Sequence, residues 1–141
     1  GYRCHMSNIN AAIGLAQIKK LDGFIARRRE VCRLYKAGMK DLPYLEFLDI
    51  DYDSIVPFMF IVRIKGGRRD ALKAFLAEHE IESAIKYVPS HLFAFYRAAA
   101  GSCPVTDKAF EEILELPLHC RLTDDDVRKV IDTVADFGRQ G

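Results

Sequence analysis

IVPFMFIVRI, residues 55–64, places Val56, Phe58, Phe60, Val62 and Ile64 at every second position. That is the period of a β-strand, and the β-branched and aromatic content suits a pleated surface. The residues between are largely apolar as well, so both faces of this strand are expected to be covered. A strand covered on two sides needs partners around it, and the flanking sequence offers helices. Gly66-Gly67 ends the strand, and Asp70 to Glu78 returns to helical spacing through Ala71, Leu72, Phe75 and Leu76.

Upstream, Ser7 is a plausible N-cap for a long amphipathic helix. Its apolar positions are Ile9, Ala12, Ile13, Ala16, Leu21, Phe24, Ile25, Val31, Cys32, Tyr35 and Met39. The pattern persists to about Lys40, and Pro43 ends it. Gly14 and Gly23 are read as points of close packing or a bend. Lys19-Lys20 and Arg27-Arg28-Arg29 are read as the solvated side.

Downstream, Glu80 to Tyr87 reads as a second strand closed by Pro89, with a short helical segment at 92–96. Pro104 opens a helix whose stripe is Ala109, Phe110, Ile113 and Leu114. Leu116-Pro117-Leu118 reads as an extended edge piece. Thr123 caps a last helix with inner positions Val127, Val130, Ile131, Val134 and Phe137. The expected fold is α+β: a long N-terminal helix, then a small mixed or antiparallel sheet with helices packed on it. One domain spans 1–141, with a connecting helix region over 1–40 and a small α+β domain over 41–141.

Composition narrows the function classes. Half of the 141 residues are hydrophobic and 29% are charged, which excludes a disordered chain. Lys and Arg total 21 against 20 Asp and Glu, leaving no positive surplus for a nucleic-acid footprint. No apolar run has the length of a membrane span and no basic-then-apolar leader opens the chain. Cys4, Cys32, Cys103 and Cys120 form no CxxC pair, so reduced thiols and a cytoplasmic location are expected.

Two stretches carry candidate chemistry. The opening Arg3, His5 and Ser7 stand before a helix start, whose unpaired N–H groups and partial positive charge suit a phosphate or carboxylate. Taken alone, these residues read first as a polar helix entry with a few basic neighbours. Lys86-Tyr87-Val88-Pro89-Ser90-His91 runs from a strand end into a Pro turn, where scaffolds place ligand contacts. The run Asp124-Asp125-Asp126 after Thr123 is explained by the helix dipole, and no metal is assigned to it. The Cys4-His5 and His119-Cys120 pairs lack zinc-ligand spacing. No triad, P-loop or GxGxxG is present, and no catalytic residue is assigned in this chain.

Three stretches taken together carry a resemblance: GYRCHMSNINAAIGLAQIKKLDGFIARRREVCRLY at the start, RRDALKAFLAEHEIESAIKYVPSHLFAFY over 68–96, and ELPLHCRLTDDDVRKVIDTV over 115–134. In order and spacing they resemble the C-terminal part of the DegT/StrS-type nucleotide-sugar aminotransferases, pyridoxal-phosphate enzymes of the aspartate-aminotransferase fold. The resemblance implies a small domain plus connecting helix whose catalytic large domain, with the Schiff-base Lys segment, lies upstream of Gly1. It implies pyridoxal phosphate in the parent enzyme but not on this chain alone, a homodimer sharing its active sites, and a nucleotide-sugar substrate. The family commonly opens Gly-x-Asn-Tyr-Arg-Met, with the Asn near the cofactor phosphate of the neighbouring subunit. Here Arg3 stands in the Asn place, Cys4 in the Tyr place and His5 in the Arg place, so Arg3, His5 and Ser7 become the cofactor-side residues. Lys86 replaces a frequent His before Tyr87, and His91 matches a later family His near the sugar nucleotide, which makes Lys86, Tyr87 and His91 the substrate-side residues. The expected activity of the parent is amino transfer from glutamate or glutamine to a nucleotide-linked keto sugar, and the isolated chain is expected to be inactive. A sugar dehydratase relative that uses the amine form of the cofactor, and a non-enzymatic α+β binding module, are the alternatives.

Overall fold

The computed structural model describes residues 5–96, 101 and 103–139. The leading helical region is two helices, α1 (Asn8–Ile18) and α2 (Leu21–Met39). The sequence pattern runs through both, yet the chain turns at Lys19-Lys20, where the Lys20 N–H reaches back to the Gln17 carbonyl at 2.9 Å. Neither Gly14 nor Gly23 is a packing point, since a Cβ at either would meet nothing within 4 Å. The close approach lies further along, at Gly38, where a Cβ would come within 2.8 Å of Ile131.

The sheet is antiparallel, in the order β1 (Leu45–Phe47), β2 (Phe60–Ile64), β3 (Ile113–Leu116). Central β2 pairs Val62 with Phe47 on one side and with Leu114 on the other. Phe60, Val62 and Ile64 are buried as their alternation requires, while Ile61 and Arg63 are half-buried. The strand is shorter than the 55–64 run. Pro57 has no N–H to give a ladder, and Val56 and Phe58 are left exposed. Gly66 and Gly67 turn the chain out of β2 at φ of 73° and 67°, a region that favours glycine.

Helix α3 (Arg69–Glu78) ends in a Schellman-type cap: the Ile81 N–H bonds the Leu76 carbonyl at 2.9 Å, with Glu80 at φ 60°. The expected strand over 80–87 is extended chain that touches the sheet through one bridge, Ala84 to Glu115. A 3₁₀ turn occupies Ser90–Leu92. Helix α4 (Pro104–Glu112) then runs straight into β3, so Ile113 and Leu114 belong to the sheet and not to the helix stripe. One of its last carbonyls, Phe110 O, is taken by the buried Arg69 side chain at 2.8 Å.

Helix α5 (Asp124–Arg139) closes the core with Val127, Val130, Val134 and Phe137. It starts as read: Thr123 Oγ1 accepts from the Asp126 N–H at 3.1 Å, and Asp126 accepts from the Thr123 N–H at 2.8 Å. Those bonds hold the Asp126 carboxyl below its usual range. The Arg27-Arg28-Arg29 run is not simply solvated. Arg27 forks onto Leu122 O at 2.7 and 3.1 Å and pairs with Asp124, while Arg29 donates twice to Ile55 O. These arginines tie α2 to the loops before β2 and α5. Helix α1, by contrast, contributes no buried residue.

Candidate functional site

The first candidate region is the start of α1. Ser7 is extended, at φ −72° and ψ 156°, and its Oγ accepts the Asn10 N–H at 3.2 Å. It is the N-cap that the sequence predicts. The first turn contains no acidic residue, so nothing on the helix itself neutralises the positive end. His5 and Ser7 are both exposed there. Arg3 and Cys4 lie outside the described residues. The donor chemistry at this start, the N–H groups of a helix first turn with a serine hydroxyl and an imidazole, fits the phosphate of pyridoxal phosphate.

The second region is built on the 80–92 segment. Backbone bonds at 2.8 and 3.2 Å between Ala84 and Glu115 hold this extended piece beside β3. Two residues on, Lys86 turns its Nζ to Glu115 Oε2 at 2.8 Å. The Glu115 carboxylate beside it holds the Lys86 ammonium above its ordinary range. Tyr87 is exposed, at 70%. His91 sits in the 3₁₀ turn behind Pro89, and its Nε2 lies 2.5 Å from Asp107 Oδ1 on α4. Only 14% of the His91 side chain is exposed, against 46% for Asp107.

A groove of about 550 Å³ opens between the 80–86 segment, the end of β3 and α5, with Ile81, Lys86, Glu115, Pro117, His119 and Val130 among its walls. Lys86 lines it, but neither Tyr87 nor His91 does. The structure therefore brings Lys86 to Glu115 and His91 to Asp107 as two separate pairs. Sequence reasoning named one member of each and missed the other. Glu115 did carry a signal, as the polar residue between two apolar neighbours of a strand end. Asp107 carried none beyond its place in a helix first turn. Cys120 and His119 do not build a metal site with the rest: among the described residues no group of three His, Cys, Asp or Glu side chains is placed to hold an ion. No helix among them is long and apolar enough to cross a membrane.

Comparison with known proteins follows the same architecture. The spore coat polysaccharide biosynthesis protein SpsC of Bacillus subtilis (strain 168) is 28% identical over 147 residues, covering 97% of this chain and 38% of SpsC. The aminotransferase TlmJ from Streptoalloteichus hindustanus superposes with a TM-score of 0.86 at 31% identity, covering 99% of this chain and 38% of TlmJ. Spr1654 from Streptococcus pneumoniae, solved in its PLP-form, superposes at 0.84 with 26% identity, again over 99% of this chain and 38% of its own. The chain thus spans little more than a third of the length of these relatives. The profile of one family runs from residue 1 to residue 135, through both candidate regions, and the chain belongs to that family, the DegT/DnrJ/EryC1/StrS aminotransferases.

Proposed function

We propose that this chain is the small-domain portion of a pyridoxal-phosphate-dependent aminotransferase. The parent passes an amino group from glutamate or glutamine to a nucleotide-linked keto sugar. The observation that carries this reading is the superposition of nearly the whole chain on TlmJ, an aminotransferase, at 31% identity. Family membership over residues 1–135 supports it. When bound, pyridoxal phosphate supplies an electron sink for proton shifts at the carbon that gains or loses the amine.

This chain's own residues bind and orient. Arg3, His5 and Ser7 are the residues assigned to the cofactor phosphate: Ser7 caps α1, and the guanidinium of Arg3 would add a charge-assisted bond to the helix field. Lys86, Tyr87 and His91 are the residues assigned to the sugar nucleotide. Lys86 is held by Glu115, which fixes its ammonium as a cation beside an anionic substrate. The isolated chain has no catalytic role of its own in this scheme, and two parent subunits share each site.

Arg3→Ala in the parent enzyme tests the cofactor half of the reading. Loss of one charge-assisted bond, about 1.5–3 kcal/mol, should weaken pyridoxal-phosphate affinity by roughly 10- to 150-fold with the melting temperature of the cofactor-free protein unchanged. Equal cofactor affinity and equal sugar-nucleotide KM in the variant would remove Arg3 from the site.

A further inference from the structure

We infer that Asp107 is a positioning residue for His91: its carboxylate keeps a proton on Nε2 and turns Nδ1 into an acceptor for a sugar hydroxyl. The inference rests on the substrate-side reading of His91 given above and adds to it a partner and a protonation pattern. The contact is short, 2.5 Å from Nε2 to Oδ1. A carboxylate can only accept, so Nε2 must be the donor and the neutral ring carries its lone pair on Nδ1. The ring is largely covered, at 14% exposure, and water therefore competes poorly for it.

Asp107 is itself well fixed. It lies in the first turn of α4, its N–H bonded to Cys103 O at 2.9 Å, where a carboxylate is favoured by the helix dipole. Two elements from different parts of the chain, the 90–92 turn and α4, thus converge to orient one imidazole. With Nε2 taken, Nδ1 is the one ring nitrogen left for a ligand. In the neutral ring it matches a hydroxyl donor and does not match a phosphate.

Asp107→Ala and Asp107→Asn, with His91→Ala beside them, separate orientation from simple bracing. In this chain, 15N spectra at mildly alkaline pH should show His91 almost wholly in the Nε2–H form, relaxing to a tautomer mixture in Asp107→Ala. The Asn variant keeps an oxygen acceptor and should keep the pattern. In the parent enzyme, Asp107→Ala should raise the nucleotide-sugar KM roughly fivefold with kcat and melting temperature near wild type, and Asp107→Asn should restore it. An unchanged His91 spectrum in Asp107→Ala overturns the positioning. So does an unchanged KM in that variant when His91→Ala raises KM. If His91→Ala itself leaves KM unchanged, the substrate-side reading fails and takes the proposal with it, and the spectra tell the two failures apart.

Discussion

Phe60→Ala is expected to destabilise the domain by about 3–5 kcal/mol, the range for deleting a large buried aromatic. Phe60 has no solvent exposure and sits at the centre of an aromatic cluster. Its ring lies 5.0 Å from Tyr35 of α2, 5.6 Å from Tyr52 and 6.1 Å from Phe47 of β1. One side chain on the central strand therefore joins the helix layer, the edge strand and the loop that follows it. Removing it leaves a cavity lined by rigid rings, which cannot collapse as aliphatic chains do. Against a typical domain stability of about 5–15 kcal/mol, the variant is marginal. Thermal unfolding should fall by on the order of 10 °C, and Phe60→Leu, which refills most of the volume, by much less. A Phe60→Ala melt within about 1 kcal/mol of wild type would show that the cluster does not organise the core.

The second large effect concerns association. Ile9, Ile13 and Ile18 are 74%, 56% and 65% exposed along a helix with no buried residue. Apolar surface on both sides of a helix, Ile9 and Ile13 on one face and Ile18 on the other, is rarely left in water by a soluble monomer. The isolated chain is expected to pair through residues 6–25, most simply about a two-fold axis. Ile9→Asp with Ile13→Asp removes four isoleucines from such a dimer. At about 1.5 kcal/mol each, that weakens it by roughly four orders of magnitude in Kd. Because neither residue packs on the core, circular dichroism and the melt of the 41–139 region should be unchanged. Light scattering should read a dimer or larger species for wild type and a monomer for the double variant. A wild-type monomer at high concentration would contradict the prediction.

The elements legible in the sequence are those whose local rules agree with their packing. Helix α5 combines a capping box at Thr123 with Val127, Val130 and Val134 at helical spacing, and both signals point the same way. Strand β2 shows its buried face directly, in Phe60, Val62 and Ile64. What failed to read was decided by distant partners. Ile113 and Leu114 continue a helical period from Ala109 and Phe110, yet pairing of Leu114 with Val62 draws them into the sheet. Arg69 helps to make that abrupt change tolerable by bonding Phe110 O, a carbonyl that α4 leaves behind. Similarly, the alternation in 55–59 is intact, but Pro57 and Arg29 of α2, which donates twice to Ile55 O, claim that backbone for a loop. The candidate site divides in the same way. Ser7 as a cap follows from local chemistry, whereas the Lys86–Glu115 and His91–Asp107 pairs exist only once β3 and α4 are in place.

Transfer of label tests the central proposal most directly. The parent enzyme, loaded with pyridoxal phosphate, is incubated with glutamate or glutamine carrying 15N in the transferred amino group and with a panel of nucleotide-linked keto sugars. The reaction is read by mass spectrometry of the nucleotide-sugar pool. The account predicts an amino sugar that carries the 15N label for at least one member of the panel, with no such product from the 141-residue chain alone. A dehydrated sugar without nitrogen, or an unlabelled pool across the whole panel despite bound cofactor, would contradict it.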